Sequence, residues 1–344
     1  MAQPPKPLPL AADAQAANDK IKQDGLFAGI VGEVQINENQ LRRRQALIIR
    51  IEEALSKKYK AENKLISYVI RFDHRKAMIS SADVNALDSI LSSVKHAEEL
   101  NVVLHGPGGD GTIVEKMVEM CRDHLPRHSQ KLRVIVPNIA KSAATVFALG
   151  ADTIIMGYCS ELGPIDPQVA VVNSGVAQYI SAWAFVESRD NLMTKIADAV
   201  KKQEPTAGLI TQLSGLNTAF VQEMENQINF ARDTAKRLLS KYMLKTKIKD
   251  AAKRADKASE IAEKLLSKKF FPNHGQFINA ETAEKDLELN IETLDRTDDL
   301  WKLIWEYYLR AELQMNIQIA PDQIKIKLFE SAAESIITPE SAKP

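Results

Sequence analysis

Short apolar runs alternate with amphipathic segments between residues 63 and 160. The runs rich in β-branched and other apolar residues lie at 65–70, 102–104, 132–136 and 153–156. The segments between them carry apolar residues at helical spacing, over 81–100, from about 112 onward and over 142–150. Strands that alternate with helices of this length predict βαβ units and a parallel sheet.

The pattern differs on either side of this region. An apolar stripe from Glu38 to Lys60 predicts a helix, and a longer stripe over 206–244 predicts an almost continuous helical arm outside the core. The helical pattern ends near Pro272, and an aromatic-rich helix and a short strand are expected after it. We therefore expect a disordered leader over 1–30, an N-terminal helix over 31–62, an α/β core over 63–190, the helical arm over 191–270, a return segment with the C-terminal helix and strand over 271–335, and a tail over 336–344.

Composition and charge exclude several classes of protein. The 344 residues include 45 Lys and Arg against 45 Asp and Glu, so the balance disfavours a nucleic-acid-binding protein. Cys121 and Cys159 lie in no CxxC pair, which excludes a zinc ribbon and a disulfide framework. The longest uncharged apolar stretch, between Lys141 and Asp152, is too short to span a membrane, and residues 1–20 lack the apolar run of a secretory signal. We expect a cytoplasmic protein with no membrane span, metal or cofactor.

A glycine-rich turn follows the run at 102–104. The six residues from Gly106 to Gly111 fit the pattern GxGxxG, but the next strand supplies no acidic residue for a ribose, and no Gly-Lys-Ser/Thr follows for a phosphate loop. The same glycines suit another chemistry. Gly108 and Gly109 have no side chains, so their backbone N–H groups can approach a substrate and stabilise an oxyanion. A tight turn without a ligand explains the pattern equally well.

Two further stretches contain candidate chemical groups. Ser142 stands where a strand gives way to a helix of small residues, so it is either a helix cap or a nucleophile. The hydrolase motif GxSxG is absent. Asp166 lies in a Gly- and Pro-rich loop after the strand at 153–156. A loop carboxylate of this kind is usually solvated, so Asp166 alone indicates little.

Together these stretches resemble the serine dehydrogenase proteinase family of the Clp protease/crotonase superfamily, which is distantly similar to signal peptide peptidase A. The resemblance covers about residues 40–310 and rests on the segments 103–109, 135–142, 148–152 and 162–168, with a weaker similarity at 274–278. It implies an α/β fold with a Clp/crotonase-like parallel β-sheet core of βαβ units, a long helical arm and a C-terminal helical extension.

The resemblance also implies a catalytic triad in the chain order serine, aspartate, histidine. Ser142 matches the nucleophile, Asp166 the aspartate and His274 the histidine. Gly109 and Ala143 match the oxyanion-hole donors, and the neighbouring Gly108 is expected to bind substrate. This sequence has Lys141 before the serine and Ala143-Ala144 after it, where the family usually has Met and Gly-Gly.

Three hypotheses for the function remain open at this point. The first is a serine endopeptidase that hydrolyses peptides or unfolded protein as a homo-oligomer, with His105 as a rival base and Lys195 or a neighbour as a less favoured one. The second is a catalytically silent scaffold or partner-binding assembly. The third is a crotonase-like acyl-thioester enzyme, although no pattern for an adenine site is visible. Convergence of His274 and Asp166 on Ser142 distinguishes the first from the second.

Overall fold

The computed structural model describes residues 26–36, 39–95, 97–126, 131–173, 176–317 and 322–341. Its centre is a seven-stranded sheet in the order β11-β10-β1-β2-β3-β5-β9. Strands β1, β2, β3, β5 and β9 are parallel, and β10 and β11 are antiparallel at one edge. These seven strands are β1 Asn63–Ile70, β2 Glu99–His105, β3 Lys131–Val136, β5 Thr153–Met156, β9 Ile291–Thr293, β10 Gln323–Ser331 and β11 Ser335–Ser341. The predicted parallel-sheet α/β fold is confirmed.

Two small sheets lie beside the main one. Strand β4 (Ile139–Ala140) pairs with β6 (Glu161–Leu162), and β7 (Gln168–Asn173) forms an antiparallel hairpin with β8 (Val176–Ser181). The helices are α1 Leu26–Ile36, α2 Gln40–Tyr59, α3 Asp83–Ser93, α4 Val114–Asp123, α5 Ala143–Leu149, α6 Ala182–Lys201, α7 Ala207–Ser214, α8 Thr218–Lys241, α9 Ala251–Leu266, α10 Ala280–Lys285 and α11 Asp299–Asn316.

Helices cover both faces of the sheet, which is why its central strands are apolar without interruption. Successive side chains of a strand point to opposite faces. Along β2, Val102 and Leu104 join the core under α3, α4, α5, α8 and α9, whereas Val103 joins the core under α2 and α11. This alternation decides which side chains of β2 lie beside the candidate site.

The helical arm differs from its prediction in two ways. The predicted helix over 206–244 is interrupted after Ser214, and Asn217 starts α8 by accepting a hydrogen bond from the Phe220 N–H. The second half of α8 does not stand outside the core. Its residues Ala235 and Leu238 are buried in the main core because the apolar stripe packs against α5 and α9.

Both ends of the described chain are more regular than the sequence predicts. Most of the expected tail belongs to the sheet, because residues 336–341 are part of β11, which pairs with β10 as an edge strand. Helix α1 overlaps the end of the expected leader, and its Ile30 packs against Tyr308 and Leu309 of α11. The rest of that leader, residues 1–25, lies outside the described residues.

Candidate active site

The glycine turn and the serine meet at the carboxyl edge of the parallel strands, where sites of α/β proteins form. Strand β2 ends at His105, and the chain continues beside β4. There the Gly106 N–H donates to the Ile139 carbonyl at 2.9 Å, and the Lys141 N–H donates to the Gly106 carbonyl at 3.1 Å. These two bonds hold the glycine turn against the start of α5.

Gly108 is the residue of the turn that touches the serine. Its φ is +108°, and a β-carbon there would lie 2.8 Å from the Ser142 β-carbon and 3.1 Å from the Ala143 nitrogen. The first distance is shorter than real β-carbons show, and the positive φ disfavours a side chain as well, so only glycine fits this position. The backbone of the turn therefore comes directly against the serine.

The other side of the turn is fixed by Ile79, from the loop after β1. The Ile79 N–H donates to the Gly108 carbonyl at 2.8 Å, and the Asp110 N–H donates to the Ile79 carbonyl at 2.9 Å. A β-carbon at Gly109, whose φ is +142°, would lie 2.4 Å from the Ile79 nitrogen. This pairing makes the turn rigid, and no motif in the sequence marks Ile79 for the role.

The backbone N–H groups of Gly109 and Ala143, the two predicted oxyanion donors, have no acceptor within the described part of the chain, and neither do those of Gly108 and Ser142. The next N–H of the helix, that of Ala144, donates to the Lys141 carbonyl at 2.9 Å. Unpaired N–H groups beside a serine hydroxyl are suitable donors for a negatively charged oxygen.

Ser142 adopts a strained backbone conformation. Its φ of 51° and ψ of −120° lie outside the regions that residues with a β-carbon ordinarily populate. The side chain makes no capping hydrogen bond to α5, so the helix-cap interpretation is not supported. Such strain persists only where surrounding contacts impose it, and it concentrates at functional sites. Here the bonds of Lys141 and Ala144 impose it.

Asp166 and His274 are hydrogen-bonded to each other. The distance from His274 Nδ1 to Asp166 Oδ1 is 2.7 Å, and both side chains are largely buried. Burial acts to raise the pKa of the Asp166 carboxyl, but the hydrogen bond and the charge of His274 outweigh it and hold this pKa below its ordinary value. The carboxylate is therefore charged at neutral pH and able to orient the ring.

A short antiparallel pairing brings these two distant residues together. The Leu162 N–H donates to the Ile278 carbonyl at 2.9 Å, and the Ile278 N–H donates to the Leu162 carbonyl at 3.0 Å. Asp166 lies four residues after Leu162, and His274 lies four residues before Ile278. The two residues are therefore at the same distance from the pairing, on segments that run in opposite directions.

The structure thus assembles the predicted residues in two groups. One group is Asp166 with His274, and the other is Ser142 with Gly108 and Ala143. Within the described residues, the His274 ring makes no hydrogen bond to the Ser142 hydroxyl. Catalytic hydrogen bonds are often long or poorly aligned before substrate binds and tighten in the complex with substrate.

The rival base His105 is held elsewhere. Its Nδ1 accepts the Ile139 N–H at 3.2 Å, and its ring packs on Tyr308 of α11 with the centroids 4.9 Å apart. Burial lowers the pKa of His105 to about 3. The other alternative, Lys195, is exposed on α6, and no hydrogen bond or ion pair joins it to Ser142 in the described residues.

The buried, neutral His105 should make the fold sensitive to acid. An imidazole in the unfolded chain binds a proton below about pH 6.5, whereas His105 stays neutral in the folded protein down to about pH 3. The unfolded state therefore binds one more proton in that interval. The free energy of unfolding should fall by about 1.4 kcal/mol for each pH unit of acidification.

Denaturant unfolding of the wild type and of His105→Asn between pH 7 and pH 4 measures this contribution. Asparagine can accept the Ile139 N–H but does not titrate. The variant should be less stable at neutral pH, because packing is lost, yet its stability should depend less on pH by about one proton. Parallel curves for the two proteins would show that His105 is not the acid-sensitive group.

Comparison with known proteins bears on the family of this chain. The fold and the strained serine beside a glycine turn define an α/β protein with a candidate nucleophile at the sheet edge. Residues 38–204 match the family of ClpP-like SDH-type serine proteinases, which confirms the family resemblance predicted from the sequence.

Two uncharacterized proteins of Methanocaldococcus jannaschii are similar over part of their length. One is 30% identical over 155 residues, which are 42% of this chain and 50% of the relative. The other is 32% identical over 85 residues, which are 24% of this chain and 28% of the relative. This chain therefore spans about half the length of the first relative and 28% of the second.

Two solved structures of the 1510-N membrane-bound stomatin-specific protease also match. A serine-to-alanine variant has a TM-score of 0.37 and 16% identity, over 66% of this chain and 79% of its own. A lysine-to-alanine variant in complex with a substrate peptide has a TM-score of 0.35 and 15% identity, over 68% of this chain and 95% of its own. Among the described residues of the present chain, no helix is both long and apolar enough to cross a membrane.

Proposed function

We propose that this protein is a serine endopeptidase that hydrolyses peptides or unfolded protein. The observation that carries the proposal is the Asp166–His274 pair, 2.7 Å apart. The segments of both residues contact Lys141, the neighbour of the strained Ser142, through the Leu162 and Gln276 carbonyls. The match to a serine proteinase family supports the class of reaction. The buried, neutral His105 supports His274 as the base.

The mechanism follows from the positions of these groups. The Ser142 oxygen attacks the scissile carbonyl carbon while His274 Nε2 takes the hydroxyl proton, because Nδ1 is already bonded to Asp166. The Gly109 and Ala143 N–H groups stabilise the oxyanion of the tetrahedral intermediate. His274 then gives its proton to the leaving amine, and an acyl-enzyme forms on Ser142. A water molecule, activated by His274, hydrolyses the acyl-enzyme and releases the acid.

Gly108 would allow the substrate backbone to approach Ser142. Its missing side chain leaves only backbone beside Ser142, so an extended peptide backbone can come close to the nucleophile. The two methyl groups of Ala143 and Ala144, where the family usually has glycines, are both buried. We propose that they help to set the size of the site.

A fluorophosphonate probe tests the proposal directly. We expect the wild-type protein to be modified at Ser142, as identified by mass spectrometry of its peptides, and to cleave an unfolded protein substrate. A folded protein that the probe does not modify would contradict the proposal and favour the silent scaffold. Hydrolysis of acyl-coenzyme A without peptide cleavage would favour the acyl-thioester alternative.

We also propose that the chain acts as a homo-oligomer in a reducing compartment such as the cytoplasm. Both cysteines are free thiols. Five large apolar side chains on the consecutive helices α6, α7 and α8 are exposed: Met193, Val200, Ile210, Phe220 and Phe230. Exposed apolar side chains on neighbouring helices favour burial against a second copy.

Light scattering at micromolar concentration should give the mass of an assembly of two or more chains of 38.3 kDa each. Phe230→Glu should shift the protein toward the monomer, because it places a charge in the expected contact. Phe27→Glu is the control, since Phe27 is also exposed, at 56% against 41% for Phe230, but lies on α1. A monomeric wild type, or equal behaviour of the two variants, would count against contact through these helices.

A further inference from the structure

Lys141, which immediately precedes Ser142, has a buried side chain with four oxygen atoms around its ammonium group. Nζ lies 3.2 Å from the Leu162 carbonyl, 3.2 Å from the Gln276 carbonyl and 3.5 Å from the Gly275 carbonyl. The fourth oxygen is Oε2 of Glu161, also at 3.2 Å. An ammonium has three N–H donors, so these contacts occupy it fully.

The stem of the lysine occupies a slot that the chain leaves open. A β-carbon at Gly163 would lie only 2.5 Å from Lys141 Cδ, so any larger residue at 163 would displace the stem. The slot directs the side chain away from Ser142 and toward the carbonyls. Lys141 is therefore badly placed to act as a base, and it is well placed to join backbone segments.

The acceptors of Lys141 belong to the segments that carry the other two triad residues. Leu162 precedes the loop of Asp166, while Gly275 and Gln276 directly follow His274. We propose that Lys141 is a positioning residue whose ammonium holds the Asp166 loop and the His274 turn at a fixed distance from Ser142. This inference rests on the proposed peptidase function.

The physical reason is that, among the residues that the structure describes, no direct hydrogen bond joins the Asp166–His274 pair to Ser142. Hydrogen bonds from a charged donor are roughly twice as strong as neutral ones. Lys141 therefore links its own backbone, and with it Ser142, to the turn of His274. Displacing a catalytic group by about 1 Å can slow a reaction about 100-fold.

The inference is tested on Lys141→Met combined with Glu161→Gln, which removes the ammonium without leaving a buried unpaired carboxylate. Saturation kinetics with a fluorophosphonate probe separate the rate of bond formation, kinact, from probe affinity, KI. We expect kinact to fall between about 10- and 100-fold with KI unchanged. In a His274→Ala background the same two substitutions should cause no further loss, because no base remains to be positioned.

Glu161→Gln alone is the matched control, and it should keep kinact within about threefold because the three carbonyl contacts remain. Gly163→Ala is the second variant, in case the double variant does not fold. Its methyl group should displace the lysine stem while both charges stay, and kinact should again fall.

The possible outcomes separate this inference from the proposed function. If the wild type is labelled at Ser142 but the double variant and Gly163→Ala react at its rate, Lys141 has no positioning role. The same conclusion follows if the substitutions slow labelling equally with and without His274, because the lysine would then act only on the fold. If the wild type is not labelled at Ser142, the proposed function itself fails.

Discussion

Ser142→Ala should abolish fluorophosphonate labelling and lower peptide hydrolysis by a factor of at least about 10³. The substitution removes the oxygen that forms the covalent bond and leaves the Gly109 and Ala143 N–H groups in place. Residual hydrolysis above the uncatalysed rate is therefore expected. Active-site titration and a peptidase assay on the same preparations measure both effects.

The fold should tolerate this change. The Ser142 hydroxyl caps no helix, and alanine has the same strained backbone to adopt, so the melting temperature should stay close to that of the wild type. Ser214→Ala, at an exposed serine that ends α7, is the control and should react normally. Undiminished hydrolysis in Ser142→Ala would refute the assignment of the nucleophile.

His274→Ala should have the second large effect, a loss of at least about 10³ in the rate of Ser142 labelling and of hydrolysis. Without the ring, no neutral base accepts the serine proton. Asp166 should not replace it, because the low pKa of its carboxyl makes the carboxylate a weak base. A time course of labelling with the probe gives the rate of Ser142 modification for each variant.

His105→Asn is the matched control for this prediction. Since His105 is bonded to the Ile139 N–H and packed on Tyr308, its replacement should keep the labelling rate within about tenfold, at a pH where the variant is folded. The two histidines should therefore separate by about 100-fold or more. If His105→Asn loses activity as His274→Ala does, the assignment of the base is wrong.

The sequence predicts the sheet well because its signal is local. Apolar runs and helical spacings between residues 63 and 160 mark each element within a few positions, and short βαβ connections leave few alternatives for the order of strands. The same reasoning does not extend to the helical arm. There a continuous apolar stripe hid the break between Ser214 and Thr218, which depends on the local cap made by Asn217.

The candidate site was predictable as a set of residues but not as an arrangement. The motifs around Gly108, Ser142 and Asp166 are compact, and each contains the residue types that its chemistry needs. His274 is 108 residues from Asp166 in the chain. The pairing of Leu162 with Ile278, which no sequence pattern marks, brings their segments together.

The sequence by itself predicted the α/β class and the parallel sheet, because periodicity is a property of neighbouring residues. Its resemblance to a known family supplied the candidates Ser142, Asp166 and His274. Only the tertiary structure shows that His105 packs against Tyr308 of α11 while His274 is hydrogen-bonded to Asp166, and this difference is the basis for proposing His274 as the base. It also revealed the contacts of Lys141, whose carbonyl acceptors are backbone groups that every residue carries. A backbone carbonyl has no signature in a sequence, so a contact of this kind becomes visible only when the folded chain brings distant segments together.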